Sequence, residues 1–378
     1  MVAGLTAACA VRGPIRAAGD GRAGTLRLLG SVAYPAGGLA VSGGPRFGSL
    51  SGLAFDGQSG QWVAASDETV RARLAWMDIT FGAAIAVTPA RFTFLTAGPG
   101  LSADAVEGVE PESLVVLPDG SFATTIEGYH DAKDVVHQAA VAFVARDGAV
   151  TQLVRPRAHF TIVAGDRTRG VRHNLGLESL TRTPDGRLVS GMEQPLSQDG
   201  PMSSVARGGV VRLLEFVERP GTGWTPGREW AYPLEPTAIV PGYDRPCEDG
   251  QNGLSDLLAL GNDRWLALER ACLLGLPGAP AYNPVRVFEV TTARADDVSA
   301  LASLAGQQVR LVRKRLVLDV TAMLPRLARA APIFATGSNF EALAAGPAGP
   351  RGERTVVLMS DDNLRPTQTT AVLWLALP

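Results

Sequence analysis

The chain has 378 residues and a formal net charge of −2, from 35 basic and 37 acidic side chains. The basic residues form no stripe and Lys occurs only at Lys133 and Lys314, so neither nucleic acid nor an anionic membrane surface is indicated as a partner. With 43 Gly and 26 Pro against 6% aromatic residues, the composition favours many short strands and tight turns and argues against long helices.

Residues 1–10 are small and apolar, too short for a secretory signal or a membrane span, and similar to the tail of a signal. If translation starts upstream, Cys9 stands where a lipoprotein carries its lipid, although Thr6 occupies a place where Leu is usual. Residues 11–24 are Gly, Ala and Arg without periodicity. Residues 1–24 are therefore expected to be a flexible segment, the remnant of an export signal, and residues 25–378 one domain with no internal boundary.

Thr25 to Tyr34 reads as a strand. The first four-stranded unit follows: Leu53 to Phe55, Trp62 to Ala65, Arg73 to Ile79 and Arg91 to Leu95. The second begins with the stretch that the chain repeats. Ser113 to Leu117 is apolar and β-prone, Pro118-Asp119-Gly120 is a tight-turn signal, and Phe122 to Ile126 runs back, with Glu112 and Glu127 meeting at the open end. Val141 to Ala145 and Val150 to Val154 complete that unit.

In the third unit the same hairpin recurs as Leu177-Glu178-Ser179-Leu180, Pro184-Asp185-Gly186 and Leu188 to Glu193, followed by Gly209 to Val217 and Glu229 to Pro233. The fourth runs from Leu254-Ser255-Asp256-Leu257 to Glu269, then Val285 to Thr291 and Val309 to Val320. In the fifth, Phe340-Glu341-Ala342-Leu343 leads to Asp361, and strands are expected at Ala342 to Ala345, Thr355 to Ser360 and Ala371 to Leu377. Ala295 to Leu304 and Thr321 to Ala330 suit short helices.

The fifth unit ends one strand short, and Thr25 to Tyr34 is the spare strand. Four-stranded units in a ring, closed by the N-terminal strand, describe an all-β protein with a single five-bladed β-propeller. A six-bladed version stays open because the later spacings are long. A sandwich would not explain why one hairpin repeats with acids at both ends.

The repeat converges acids on one mouth of the channel. The start position holds Ser51, Glu112, Glu178, Ser255 and Glu341, and the end position holds Asp67, Glu127, Glu193, Glu269 and Asp361. Like charges this close require raised pKa values or a bound cation. Carboxylates, with Asn174, Asn252, Asn339 and Asn363 nearby, suit a hard cation and favour Ca²⁺. The four His, at 130, 137, 159 and 173, show no metal-ligand spacing, so zinc is not expected.

Ser51-Gly52-Leu53, Asn174 to Leu180, Pro184-Asp185-Gly186 and Ser360-Asp361-Asp362-Asn363-Leu364 together resemble the phytase-like propeller family, often labelled "esterase-like activity of phytase". The resemblance covers about residues 47–378 and implies an exported bacterial protein that hydrolyses a phosphoester or carboxylester with Ca²⁺. Propeller phytases are attributed six blades, against the five units counted here.

On this reading Glu112, Glu178, Glu341, Asp67, Glu269 and Asp361 are the candidate metal ligands. Glu127 and Glu193 are candidates for ligand or general base, and Arg172, His173 and Arg270 for the partner of a substrate anion. Serine catalysis is disfavoured, because in Gly48-Ser49-Leu50-Ser51-Gly52 a Leu stands in the nucleophile's place. Cys247 and Cys272 bracket the fourth hairpin at the same end, and a disulfide between them would suit an exported protein. The expected protein is a periplasmic or secreted monomer acting on a small-molecule ester or phosphoester. The alternative is a non-catalytic propeller, stabilised by metal, that binds a small ligand or a protein.

Overall fold

The computed structural model describes residues 25–378 except 69–70, 104–105, 108, 131–134, 248–250, 278, 332 and 334–337. The expectations for residues 1–24, Cys9 included, lie outside the described residues.

Five antiparallel sheets follow one another along the chain, and the innermost strands of neighbouring sheets contact one another around a common axis. The first blade is Leu50–Asp56, Gln61–Ser66, Arg73–Thr80 and Ala86–Phe94. The second is Val115–Val116, Phe122–Ile126, Ala140–Val144 and Ala149–Val154, with Thr96–Ala97 added in parallel at its outer edge, a strand the sequence pattern does not announce. The third is Leu177–Arg182, Leu188–Met192, Val210–Arg219 and Gly223–Pro233, and the fourth is Gly253–Ala259, Arg264–Arg270, Val285–Thr291 and Arg313–Asp319. Asn339–Gly346, Thr355–Asp361 and Thr369–Ala376 make the fifth blade, and Arg27–Pro35 completes it by pairing antiparallel with Thr369–Ala376. The protein is a five-bladed β-propeller closed by its N-terminal strand.

The turns follow their chemistry. Asp119 Oδ1 accepts from the backbone N and Oγ of Ser121, and Gly120 supplies a φ of 85° that a side chain would strain. Gly186, with a φ of 94°, does the same in the third blade. Strands are apolar on both faces because each blade is covered by a neighbour on either side. Aromatic pairs bridge four of the five interfaces: Trp76 with Phe122, Phe143 with Trp224, Trp230 with Trp265, and Phe81 with Trp374. The interface between the fourth and fifth blades is aliphatic, with Leu266, Leu268, Val356 and Leu358 fully buried.

One helix, Val320–Ala330, stands where Thr321 to Ala330 suggested one, and Asp319 caps it by accepting from the backbone N of Ala322 at 3.0 Å. Ala295 to Leu304 is not helical. Its backbone is held as loop by Asp297, which accepts from Glu229 N and Ser299 N, and by Leu304 N donating to Asp199.

Candidate functional site

Each innermost hairpin carries a bulge at its open end. Pairing skips Gly52, Glu178, Ser255 and Glu341 in the first, third, fourth and fifth blades. In the second, Pro111 bridges Ile126 while Glu112 N donates to Thr125 O. A bulge turns the extra residue out of the pleat, and here that direction is the channel mouth for Glu112, Glu178 and Glu341. The register also shifts three expected positions by one residue. Gly52, not Ser51, is the equivalent of Glu178, and the second-strand position of Glu127, Glu193 and Asp361 is held in the first and fourth blades by Ser66 and Arg270, not by Asp67 and Glu269.

Neighbouring blades are linked at this level. Leu177 N donates to Glu127 O, and Leu254 N to Glu193 O. The ring closes through a side chain, since Asp361 Oδ1 accepts from Leu50 N at 3.0 Å. A Cβ on Gly176 would lie 1.9 Å from Glu127 O, and one on Gly253 2.5 Å from Glu193 Cγ, so glycine is what lets consecutive acids approach.

The result is a pocket of about 360 Å³ whose lining includes Asp67, Glu112, Glu127, Glu178, Glu193 and Glu341. Oxygens of Glu110, Glu112 and Glu127 lie within 4.8 Å of one another, as do those of Glu127, Glu178 and Glu193, so Glu127 belongs to both triads. Glu127 is oriented by the backbone N of Gly176, 3.0 Å from its Oε1. With its amide oriented to donate, Asn174 lies 2.7 Å from Glu110 Oε2 and 3.2 Å from Glu127 Oε2.

Burial, reinforced by facing carboxylates, pushes Glu112, Glu127, Glu178 and Asp361 well above the usual carboxylate range. Burial with the charges of Glu341 and Asp362 raises Asp67 to about 6, and burial with Asp67 raises Glu110 to about 7. Arg270 enters the same cluster, with its guanidinium 3.8 Å from Glu178 and 3.6 Å from Glu193 and hydrogen-bonded to Glu341. Burial alone would lower its pKa, but Glu341, Glu193 and Glu178 outweigh it and raise it.

Asp361 is buried behind the pocket wall, its Oδ1 accepting from Leu50 N and Asn363 N, and three of the expected residues are placed elsewhere. Glu269 pairs with Leu254, and its buried carboxylate faces the interior between blades. There it accepts from Tyr232 Oη at 2.7 Å, Lys314 Nζ at 2.5 Å, Asn252 Nδ2 at 2.6 Å and Glu235 N at 3.1 Å. Asn252 is thereby also taken from the mouth. Arg172 donates to the carbonyls of Pro195 and Gly200, at 2.9 and 2.8 Å, and does not line the pocket. His173 is exposed, its ring 5.6 Å from that of His130.

The structure also adds residues. Glu110 joins a triad, and its spacing of two from Glu112 on extended chain is a signal for a shared face. Arg365 is exposed at the rim, while Asn283 and Gln368 line the wall, and only the fold brings these to the mouth. Cys247 and Cys272 form a disulfide with a Cα–Cα distance of 5.4 Å and line the same pocket.

The donor set fits a hard cation. Asp67 Oδ1, Asn283 Oδ1, Asn339 Oδ1 and Gln368 Oε1 are buried oxygens in this wall with no hydrogen-bond partner among the described residues. Buried acceptors are ordinarily satisfied, and oxygen ligands of loose geometry suit Ca²⁺ better than a transition metal.

Fold and site thus define an acid-mouthed β-propeller whose carboxylate clusters can hold a metal ion. The sequence of residues 45–364 matches the phytase-like family described as "Esterase-like activity of phytase", and the chain belongs to that family. No curated protein matches it. Among solved structures it is similar to an endo-arabinase from Bacteroides thetaiotaomicron, with 9% identity, 91% of this chain and 96% of the other covered, and a TM-score of 0.43. It is also similar to a gluconolactonase from Xanthomonas campestris, with 12% identity, 97% and 100% covered, and a TM-score of 0.38. A protein of unknown function from Dyadobacter fermentans gives 11% identity, 94% and 100% covered, and a TM-score of 0.42.

Proposed function

We propose that the protein is an exported Ca²⁺-dependent hydrolase of small phosphoester or carboxylester substrates, working at the acidic mouth of the channel. The observation that carries this reading is the pair of carboxylate triads sharing Glu127, in a pocket whose wall also presents unpartnered buried oxygens. Export is supported by the disulfide, since thiols in the cytosol are kept reduced.

Glu112 and Glu127 would hold the ion, with Asp67 and Asn339 completing its surroundings. When bound, such an ion polarises the scissile ester and lowers the pKa of a water. Glu110, part-exposed beside Glu112 and Glu127 and raised to about 7, would take a proton from a water near neutral pH. Arg365, the exposed guanidinium at the rim, meets the anionic part of the substrate, and a planar fork suits a phosphate bidentately.

A second reading is a propeller in which the ion only holds the blades together. It is favoured by Asp361 and Glu127, which accept hydrogen bonds from the backbone of neighbouring blades.

The test is hydrolysis of p-nitrophenyl phosphate and p-nitrophenyl acetate by metal-stripped protein with and without added Ca²⁺. Turnover that appears with Ca²⁺ and disappears on chelation is expected. A Ca²⁺-dependent rise in Tm without turnover on an ester panel overturns the hydrolase in favour of the second reading.

A further inference from the structure

Arg270 stands where the second, third and fifth blades place an acid and the first places Ser66. It pairs with Gly253 in the fourth blade, as Glu193 is joined to Gly176 in the third and Asp361 to Asn339 in the fifth. Its side chain is 14% exposed and reaches carboxylates from the third and fifth blades, Glu178 and Glu193 on one side and Glu341 on the other.

The carboxylates of the mouth are therefore divided. Glu178, Glu193 and Glu341 lie within 4.0 Å of a guanidinium nitrogen, whereas among the described residues Asp67, Glu110, Glu112, Glu127 and Asp361 have no basic nitrogen so close. The unpartnered oxygens of Asn339, Asn283 and Gln368, each more than nine-tenths buried, open on the same pocket and call for a cation there. Two of the residues bound to Arg270, Glu178 and Glu193, form with Glu127 a triad close enough to hold an ion themselves.

We propose that Arg270 is a resident cation, which occupies by its guanidinium the place of one metal ion and confines metal binding to the other side of the mouth, around Asp67, Glu110, Glu112 and Glu127. The inference deepens the metal reading given above and rests on it for the wild-type ion. The physical basis is charge balance in a desolvated site. Clustered carboxylates there must be neutralised by a proton, a metal or a fixed cation, and a guanidinium tethered to a strand loses less freedom than a free ion.

The experiment compares Ca²⁺ binding to metal-stripped wild type, Arg270→Gln and Arg270→Lys by equilibrium dialysis, with Tm followed on the same samples. Arg270→Gln is expected to bind one Ca²⁺ more per chain than wild type, to melt lower than wild type without metal, and to gain more in Tm from Ca²⁺. Arg270→Lys is expected to keep the wild-type stoichiometry. Equal stoichiometry in a folded Arg270→Gln protein overturns the proposal, and so does a glutamine variant that Ca²⁺ fails to restore to the folded state. If wild type binds no Ca²⁺ but Arg270→Gln binds one, the resident cation stands and the metal-dependent hydrolase fails.

Discussion

Glu193 and Arg270 occupy the same register position in consecutive blades, opposite Gly176 and Gly253, and their side chains approach to 3.6 Å across the mouth. A repeat that supplied only acids would load every blade with the same charge. Here the first blade places the neutral Ser66 at that position and the fourth a cation, and the cation sits among the carboxylates it can neutralise.

The pH dependence of the metal-free protein follows from the raised carboxylates. Asp67 rises from 3.8 to about 6 and Glu110 from 4.5 to about 7, so between about pH 4 and pH 7 the folded chain binds more protons than the unfolded one. Stability is then greatest below the unfolded pKa values and falls as pH rises through the folded ones. Tm of stripped protein is expected to drop from pH 4 to pH 7 and to recover with added Ca²⁺ at pH 7. A Tm that climbs over this range without metal contradicts the buried acid cluster.

Glu127→Gln removes the carboxylate common to both triads while preserving its shape. The expected outcome is loss of the Ca²⁺-induced rise in Tm and a fall in kcat/KM of roughly 10²-fold or more. Calorimetric titration with Ca²⁺ checks the first and initial rates the second.

Glu269→Gln should behave oppositely. The buried carboxylate holds Tyr232, Lys314 and Asn252, so its loss leaves the Lys314 ammonium to the more exposed Glu235, 3.0 Å away, and costs about 3 kcal/mol. Denaturant unfolding reads that cost, and Ca²⁺ affinity measured below the transition should stay at the wild-type value.

Arg365→Ala is expected to raise KM about tenfold for a phosphoester, in line with about 1.5 kcal/mol for a charged hydrogen bond, with Ca²⁺ affinity unchanged. An unchanged KM would remove Arg365 from substrate binding.

Cys247→Ser with Cys272→Ser opens a cross-link between residues 25 apart in sequence. A loss of about 3 kcal/mol in stability is expected from the freed loop. Wild-type protein under reductant should show the same shift in Tm, and no shift in either would mean that the loop is held without the bridge.

Much of this architecture is legible in the residues themselves. Short apolar β-prone runs, turn triplets such as Pro118-Asp119-Gly120 and a missing last strand are local or additive features, and they determine the five sheets and the closing role of Arg27–Pro35. The acids at 112, 127, 178, 193 and 341 are legible for the same reason, because a hairpin of fixed period delivers its ends to one place. Which neighbour of each acid faces the mouth is decided otherwise. A bulge of one residue reverses the side-chain direction along a strand. The bulge at Ser255 sets the register at which Arg270, opposite Gly253, faces the carboxylates while its neighbour Glu269, opposite Leu254, faces Tyr232 and Lys314 in the interior. Arg365, Asn283 and Gln368 reach the pocket from loops with no repeat to announce them, so only the closed ring, which fixes all five blades at once, brings them to the site.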